Sequence, residues 1–222
     1  MQQYIVIVAG GSGTRMGSST PKQFLELSGL PILMHTIAKM KDALPDSKLI
    51  LALPAQQIEQ WNKLVNSHQF NVNYELVAGG QTRFHSVQNA LQKVTTPGLV
   101  AIHDGVRPLV KTKVVKNCME IAKEKGNCIP TLPMQESLRK VSSEKNQCVN
   151  REEFFVVQTP QCFSSDLILK AYDQDYKASF TDDASVVEAM GNSIFLCAGN
   201  KENIKITTPE DLVLAGHYLQ TN

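Results

Sequence analysis

Short apolar runs alternate with amphipathic stretches through the first half of the chain. Residues 4–9, 48–54, 73–77 and 99–103 read as buried strands. Between them, residues 31–40, 56–68 and 83–94 carry apolar positions at helical spacing, with Pro31 read as a first-turn proline. Strand–helix alternation at this rhythm predicts an α/β fold, a mostly parallel sheet flanked by helices on both faces. In such sheets ligands bind beyond the carboxyl ends of the strands. The rhythm changes after Gly126. Residues 127–134, 137–141 and 147–163 look extended, with a polar turn over 142–147, so residues 135–154 read as a protruding β-arm. Helical pattern returns at 165–172 and 182–190, and 193–197 and 203–206 read as final strands. Thr208-Pro209-Glu210-Asp211 is a helix start, with a capping threonine, proline in the first position and an acid in the third. No repeat or linker interrupts the chain, which predicts one domain over residues 1–222 with the arm as an excursion.

Composition narrows the function classes. At 222 residues and 42% apolar, the chain can bury a full core. A net charge of +1 argues against a broad nucleic-acid surface. The apolar run near the amino terminus is too short to span a bilayer and does not read as a signal peptide, so no membrane role and a cytoplasmic location are expected. Five cysteines lie scattered without a C-x-x-C pair, which fits reduced thiols and predicts neither a disulfide frame nor a zinc site.

The most informative stretch is residues 6–23, VIVAGGSGTRMGSSTPKQ. An apolar strand breaks into Gly10, Gly11 and Gly13, whose bare N–H groups can approach a ligand closely, and Arg15 and Lys22 follow. Such donors ahead of a helix start suit phosphate oxygens, and two cations behind them suit a polyphosphate. Gly11, Gly13 and Gly17 are spaced one residue too long for the dinucleotide fingerprint, and the Gly-Lys-Ser/Thr of a P-loop is absent.

Three further constellations follow strand ends. His103-Asp104-Gly105-Val106-Arg107-Pro108 ends a buried strand with an acid that can hold Mg²⁺ alongside phosphate oxygens, or cap a turn, or pair with Arg107. Gly79-Gly80-Gln81-Thr82-Arg83-Phe84-His85-Ser86 permits close main-chain approach, with Gln81 or Ser86 able to read the polar edges of a base, but by itself it reads more readily as a plain strand–helix connection. Lys205 sits among apolar neighbours and needs an anionic partner, either a second-substrate phosphate or an internal carboxylate. Arg151 and Thr159 flank the arm.

Together, AGGSGTRMG with PKQFLEL, GGQTRFHSV, HDGVRP, VNR, QTPQCF, TDDASVVEAMG and NIKITTPEDL resemble the 2-C-methyl-D-erythritol 4-phosphate cytidylyltransferases of the non-mevalonate isoprenoid pathway, in the family's order and over essentially the whole chain. The resemblance implies a Rossmann-like nucleotidyltransferase sheet with a β-arm that interlocks two subunits. It implies transfer of CMP from CTP, with Mg²⁺, to the sugar-alcohol phosphate, and release of pyrophosphate. Ala9, Gly10, Gly11 and Gly13 would wrap CTP, with Gly80, Gln81 and Ser86 at cytosine and ribose. Arg15 and Lys22 would stabilise the transition state at the α-phosphate. Asp104 would sit by the metal and the acceptor. Gly105, Arg107, Ser137, Arg151 and Thr159 would help hold methylerythritol phosphate, several of them from the partner subunit, and Lys205 would orient its phosphate. Arg15, Lys22, Arg151 and Lys205 are thereby the implied catalytic set. Gly10, Gly105 and Ser137 depart from the residues common in the family, each keeping the backbone or hydroxyl group that matters.

The attacking oxygen of a phosphate is ionised near neutrality, so no general base is required; positioning and charge neutralisation must do most of the work. Sister ribitol 5-phosphate cytidylyltransferases share PKQFLEL, HD-x-VRP and QTPQ, and stand as the alternative. A non-catalytic nucleotide-binding protein is more remote, because Arg15, Lys22 and Asp104 are all present.

Overall fold

A computed structural model describes residues 1–11 and 20–221. Strand β1 (Gln2–Val8) is apolar without a break from Tyr4 to Val8, because both of its faces are covered. Ile5 and Ile7 enter one core, while Tyr4, Val6 and Val8 enter another on the opposite face. A small hairpin of β2 (Glu26–Leu27) and β3 (Leu30–Pro31) leads into helix α1 (Ile32–Ala43). Pro31 is the residue capping that helix, with extended backbone, so it lies one position ahead of the first turn in which its sequence context had placed it. There follow β4 (Lys48–Leu53), α2 (Ile58–Ser67), β5 (Glu75–Ala78), α3 (Arg83–Leu91) and β6 (Gly98–Asp104), the predicted alternation with ends shifted by a few residues.

Helix α4 (Thr112–Lys125) is an element that the strand–helix reading above omits, although Val114, Val115, Cys118, Met119 and Ala122 mark a buried face. It stops at Gly126, which takes φ 89° in the left-handed cap. Strand β7 (Asn127–Pro133) follows. Strands β8 (Arg139–Val141) and β9 (Asn146–Cys148) form a separate antiparallel hairpin, closed by the Ser142 N–H donating to the Lys145 carbonyl at 2.8 Å. The chain returns through β10 (Phe155–Val157) and β11 (Gln161–Ser164), then α5 (Ser165–Ala171), α6 (Asp183–Glu188), β12 (Leu196–Ala198) and α7 (Pro209–Thr221). Residues 203–206, expected as a strand, pair with no strand among the described residues. They form an irregular segment in which Ile206 plugs the core beside Leu27, Ile32 and Val106, and its N–H donates once, to Val106. At α7 the expected cap is present: the Thr208 hydroxyl accepts from the Asp211 N–H and the Asp211 carboxylate accepts from the Thr208 N–H.

The sheet runs β5–β4–β1–β6–β11–β7, with β12 and β10 also on β7. Strands β5, β4, β1 and β6 are mutually parallel, β11 is antiparallel to both β6 and β7, and β12 is parallel to β7. The mostly parallel, helix-flanked α/β architecture is the expected one. Helices α1, α2 and α4 cover the face that carries Ile5 and Ile7, and α3, α5 and α6 cover the other. Parallel β1, β5 and β6 bring their carboxyl ends to one edge of the layers, where the loops that follow them meet.

Candidate active site

A cavity of about 240 Å³ opens at that edge. Ala9, Gly10 and Gly11 line it from the end of β1, Gly80, Gln81 and Ser86 from the β5–α3 connection, and Asp104 from the end of β6; Lys22 and Lys205 are also in its wall. These expected site residues, scattered over two hundred positions, therefore share one chamber. Gly13 and Arg15 lie outside the described residues. Gly80 is glycine for a steric reason, since a Cβ there would strike the Cβ of His85. Its N–H donates to the Ser86 hydroxyl at 3.1 Å, and that hydroxyl donates to the Thr82 carbonyl at 2.9 Å, so Ser86 shapes the loop as well as facing the cavity.

Asp104 is the electrostatic hub. Its carboxylate is almost fully buried and meets Lys205 Nζ at 2.9 Å, Arg83 Nε at 3.2 Å and Arg107 Nε at 3.4 Å. Burial alone would raise its pKa, but Arg83, Lys205 and Arg107 outweigh burial and hold it far below the usual carboxylate range. The two pairings left open for Asp104 and Lys205 are thus both present: Asp104 binds Arg107, and Lys205 has an internal carboxylate partner in Asp104. Lys205 reaches it because the irregular 203–206 segment is tied down: the Asn203 side-chain amide donates to the Thr159 carbonyl at 2.8 Å, and Arg107 Nη1 donates to the Asn203 carbonyl at 2.8 Å.

Arg83, which lines the cavity, was missed as a site residue. It forks onto fully buried Asp183 through Nη1 and Nη2 at 2.8 and 2.7 Å while its Nε braces Asp104, and Asp183 also accepts from the Tyr172 hydroxyl at 2.6 Å. Burial pulls the Arg83 pKa down, yet Asp183 and Asp104 together hold it well above its ordinary value. Arg83 and Asp183 are 100 positions apart, and the signal for them is that each falls in a segment carrying the family resemblance, GGQTRFHSV and TDDASVVEAMG.

Beneath Asp104 lies a chain of neutral hydrogen bonds. His103 Nε2 is 3.0 Å from the Arg107 carbonyl, which can only accept, so Nε2 carries the proton and Nδ1 accepts from the Thr159 hydroxyl at 2.9 Å. The Thr159 oxygen in turn accepts from the Asp104 N–H at 3.1 Å. Thr159 is buried and commits its hydroxyl proton to His103. Burial lowers the His103 pKa to about 4. Because the folded value lies below the unfolded one near 6.5, this histidine stabilises the fold fully above pH 6.5, and the contribution is lost as pH falls through 4, by about 3 kcal/mol in all. The depressed Asp104 carboxylate adds its own dependence only below about pH 4. Urea unfolding of the wild type should therefore weaken by about 2 kcal/mol between pH 7 and 5; the same slope in His103→Gln would remove His103 as its source.

The remaining expected residues fall elsewhere. Gly105 packs beneath the chamber: a Cβ there would lie 2.7 Å from that of Ala9, its N–H donates to the Val8 carbonyl at 2.9 Å, and its carbonyl accepts from Thr36 at 3.0 Å. Ser137 and Arg151 line a separate recess on the arm, where Arg151 Nη1 donates to the Gln135 carbonyl at 2.7 Å. As for a metal, Asp104 Oδ1 accepts only Arg83 Nε at 3.2 Å among the described residues, leaving one acceptor position, whereas Oδ2 already serves Lys205 and Arg107. One carboxylate oxygen fits Mg²⁺ that arrives on a nucleotide's phosphates, and does not make a cage for the free ion.

The sequence profile of the 2-C-methyl-D-erythritol 4-phosphate cytidylyltransferase family matches residues 3–221. The chain belongs to this family. It is 47% identical over 219 residues to the 2-C-methyl-D-erythritol 4-phosphate cytidylyltransferase of Bacteroides thetaiotaomicron, covering 99% of this chain and 100% of that one. The same enzyme of Porphyromonas gingivalis is 47% identical over 215 residues, 96% of each chain. Among solved structures, 2-C-methyl-D-erythritol 4-phosphate cytidylyltransferase from Thermus thermophilus superposes with a TM-score of 0.78 at 31% identity, over 99% of this chain and 100% of that one. The 4-diphosphocytidyl-2C-methyl-D-erythritol synthase of Anaerococcus prevotii gives 0.84 at 25% identity, over 99% and 96%. This member of the cytidylyltransferase family is thus a nucleotidyltransferase, and no helix among its described residues is long and apolar enough to cross a membrane.

Proposed function

We propose that the protein transfers CMP from CTP to 2-C-methyl-D-erythritol 4-phosphate, releasing pyrophosphate, by in-line attack of the sugar phosphate on the α-phosphate of CTP. The observation that carries this reading is the convergence of Lys22, Lys205, Gly10 and Gly11 on one chamber with Asp104. Two polyanions must meet there, and the fixed positive groups lower the cost of bringing them together. Lys22 stands on the nucleotide side beside Gly11; the family resemblance gives Arg15 the role of a second cation at the α-phosphate. Lys205 stands at the acceptor side, and when the acceptor phosphate enters it can exchange its contact with Asp104 for one with the phosphate. Asp104 would hold a Mg²⁺ ion brought in with the nucleotide, and the ion's chemistry there would be further neutralisation of phosphate charge. Ala9, Gly10, Gly11, Gly13, Gly80, Gln81 and Ser86 surround the nucleotide in this reading.

The whole of residues 1–222 acts as one cytidylyltransferase domain, with residues 135–154 as the arm of a homodimer. Phe154, Phe155, Val156 and Val157, with Phe195 and Leu196 on the neighbouring edge, are exposed apolar groups that a second copy would cover. That arrangement accounts for Ser137 and Arg151 lying apart from their own chamber: they serve the acceptor across the subunit boundary, while Arg107 serves it from beside Asp104 of its own chain. The test is pyrophosphate release from CTP and Mg²⁺ with either sugar phosphate. Turnover with methylerythritol phosphate and background with ribitol 5-phosphate is expected; equal or reversed rates would transfer the assignment to the sister activity.

A further inference from the structure

Nothing in the spacing of the cysteines marks a metal-ligand motif, yet the fold gathers three of these sequence-distant thiols into one cluster. Cys118 on α4, Cys128 on β7 and Cys197 on β12 place their sulfurs within 4.8 Å of one another, and all are free thiols. They sit in the apolar core between α4 and the sheet, among the side chains that pack Val114, Val115 and Met119. Cys162 is buried on β11 opposite Cys128, while Cys148 is exposed on the arm. The Cys118 thiol donates to the Cys128 carbonyl at 3.1 Å, which aims it along β7.

We propose that Cys118, Cys128 and Cys197 form a three-thiol site for a trivalent, thiol-seeking metalloid of the arsenite class. The choice of ligand follows from charge. Three thiolates around a divalent ion would leave a net negative charge in an apolar core, and burying an uncompensated charge is costly. Around a trivalent centre the complex is neutral. In the reaction with arsenous acid, three As–O bonds break and three As–S bonds form. Each thiol proton leaves with a hydroxyl as water, and no oxidation state changes. Thiols this close can converge on one atom by rotation about their Cα–Cβ bonds, since each has three staggered positions. Entry is past β12, where Cys197 retains 8% exposure while Cys118 and Cys128 have none. An occupied site joins α4, β7 and β12 through one atom.

The test is native mass spectrometry of the reduced, full-length protein with one equivalent of sodium arsenite, followed by thermal melting. One adduct is expected, with the mass of an arsenic atom less three hydrogens, together with a higher Tm that an added small dithiol reverses. Cys148→Ser should keep this adduct and Cys197→Ala should lose it, with circular dichroism confirming that both variants are folded. An adduct lacking only two hydrogens, the same adduct in Cys197→Ala, no adduct on the folded protein, or displacement of arsenite by equimolar Zn²⁺ would each overturn the assignment.

Discussion

Asp104→Asn is expected to lower kcat about 100- to 1,000-fold, the range found when one preorganised electrostatic group is removed from a reacting site. The substitution keeps the shape of the side chain and removes its charge. Arg83, Arg107 and Lys205 then face one another across a neutral amide, with Asp183 the one acid left to balance them among the described residues. Because Arg83 and Arg107 are largely covered, their repulsion is poorly screened, whereas Lys205, 42% exposed, is relieved by solvent. Leaving buried cations unpaired costs about 3 kcal/mol, or about 10 °C in Tm for a chain of 222 residues. Steady-state kinetics separate the two consequences. Loss in kcat with little change in KM for CTP means that the hub holds its cations for the transition state. A normal kcat in the folded variant would remove Asp104 from the reaction.

The parts of this site differ in how far the sequence displays them. The loop after β1 and the acid ending β6 are legible because each is a local break in an apolar run, and a parallel sheet brings the carboxyl ends of its strands together. Helix α4 is equally legible, through the spacing of its buried face and the glycine that ends it, although it lies beyond the strand–helix alternation that closes with β6. The 203–206 segment misleads for a physical reason. Alternating apolar side chains record burial, and Ile206 is buried against Leu27, Ile32 and Val106 without a neighbouring strand, while Asn203 and Arg107 supply the fastening that a ladder would have given. The Arg83–Asp183 fork and the three gathered cysteines have no local signature. Each joins elements brought together only by packing, so their partners are visible in space and not along the chain.

Asp183→Leu should be the most damaging single change outside the cavity wall, at about 3–5 kcal/mol. Asp183 has no solvent exposure, stands in the first turn of α6 and accepts three hydrogen bonds, two from Arg83 and one from Tyr172. Removing it strands a guanidinium and a phenol together. Arg83→Lys is no remedy for the complementary loss, because an ammonium cannot fork onto a carboxylate and also reach Asp104. The double variant Arg83→Met/Asp183→Leu distinguishes structure from chemistry. Removing both charges leaves no buried ion unpaired, so it should melt above Asp183→Leu, the nonadditivity expected of residues in direct contact. Its turnover should nevertheless stay as low as that of Asp183→Leu, because Asp104 has lost the brace that aims it across the chamber. If turnover instead recovers with stability, the fork serves only to hold α3 against α6, and Arg83 has no part in positioning the hub.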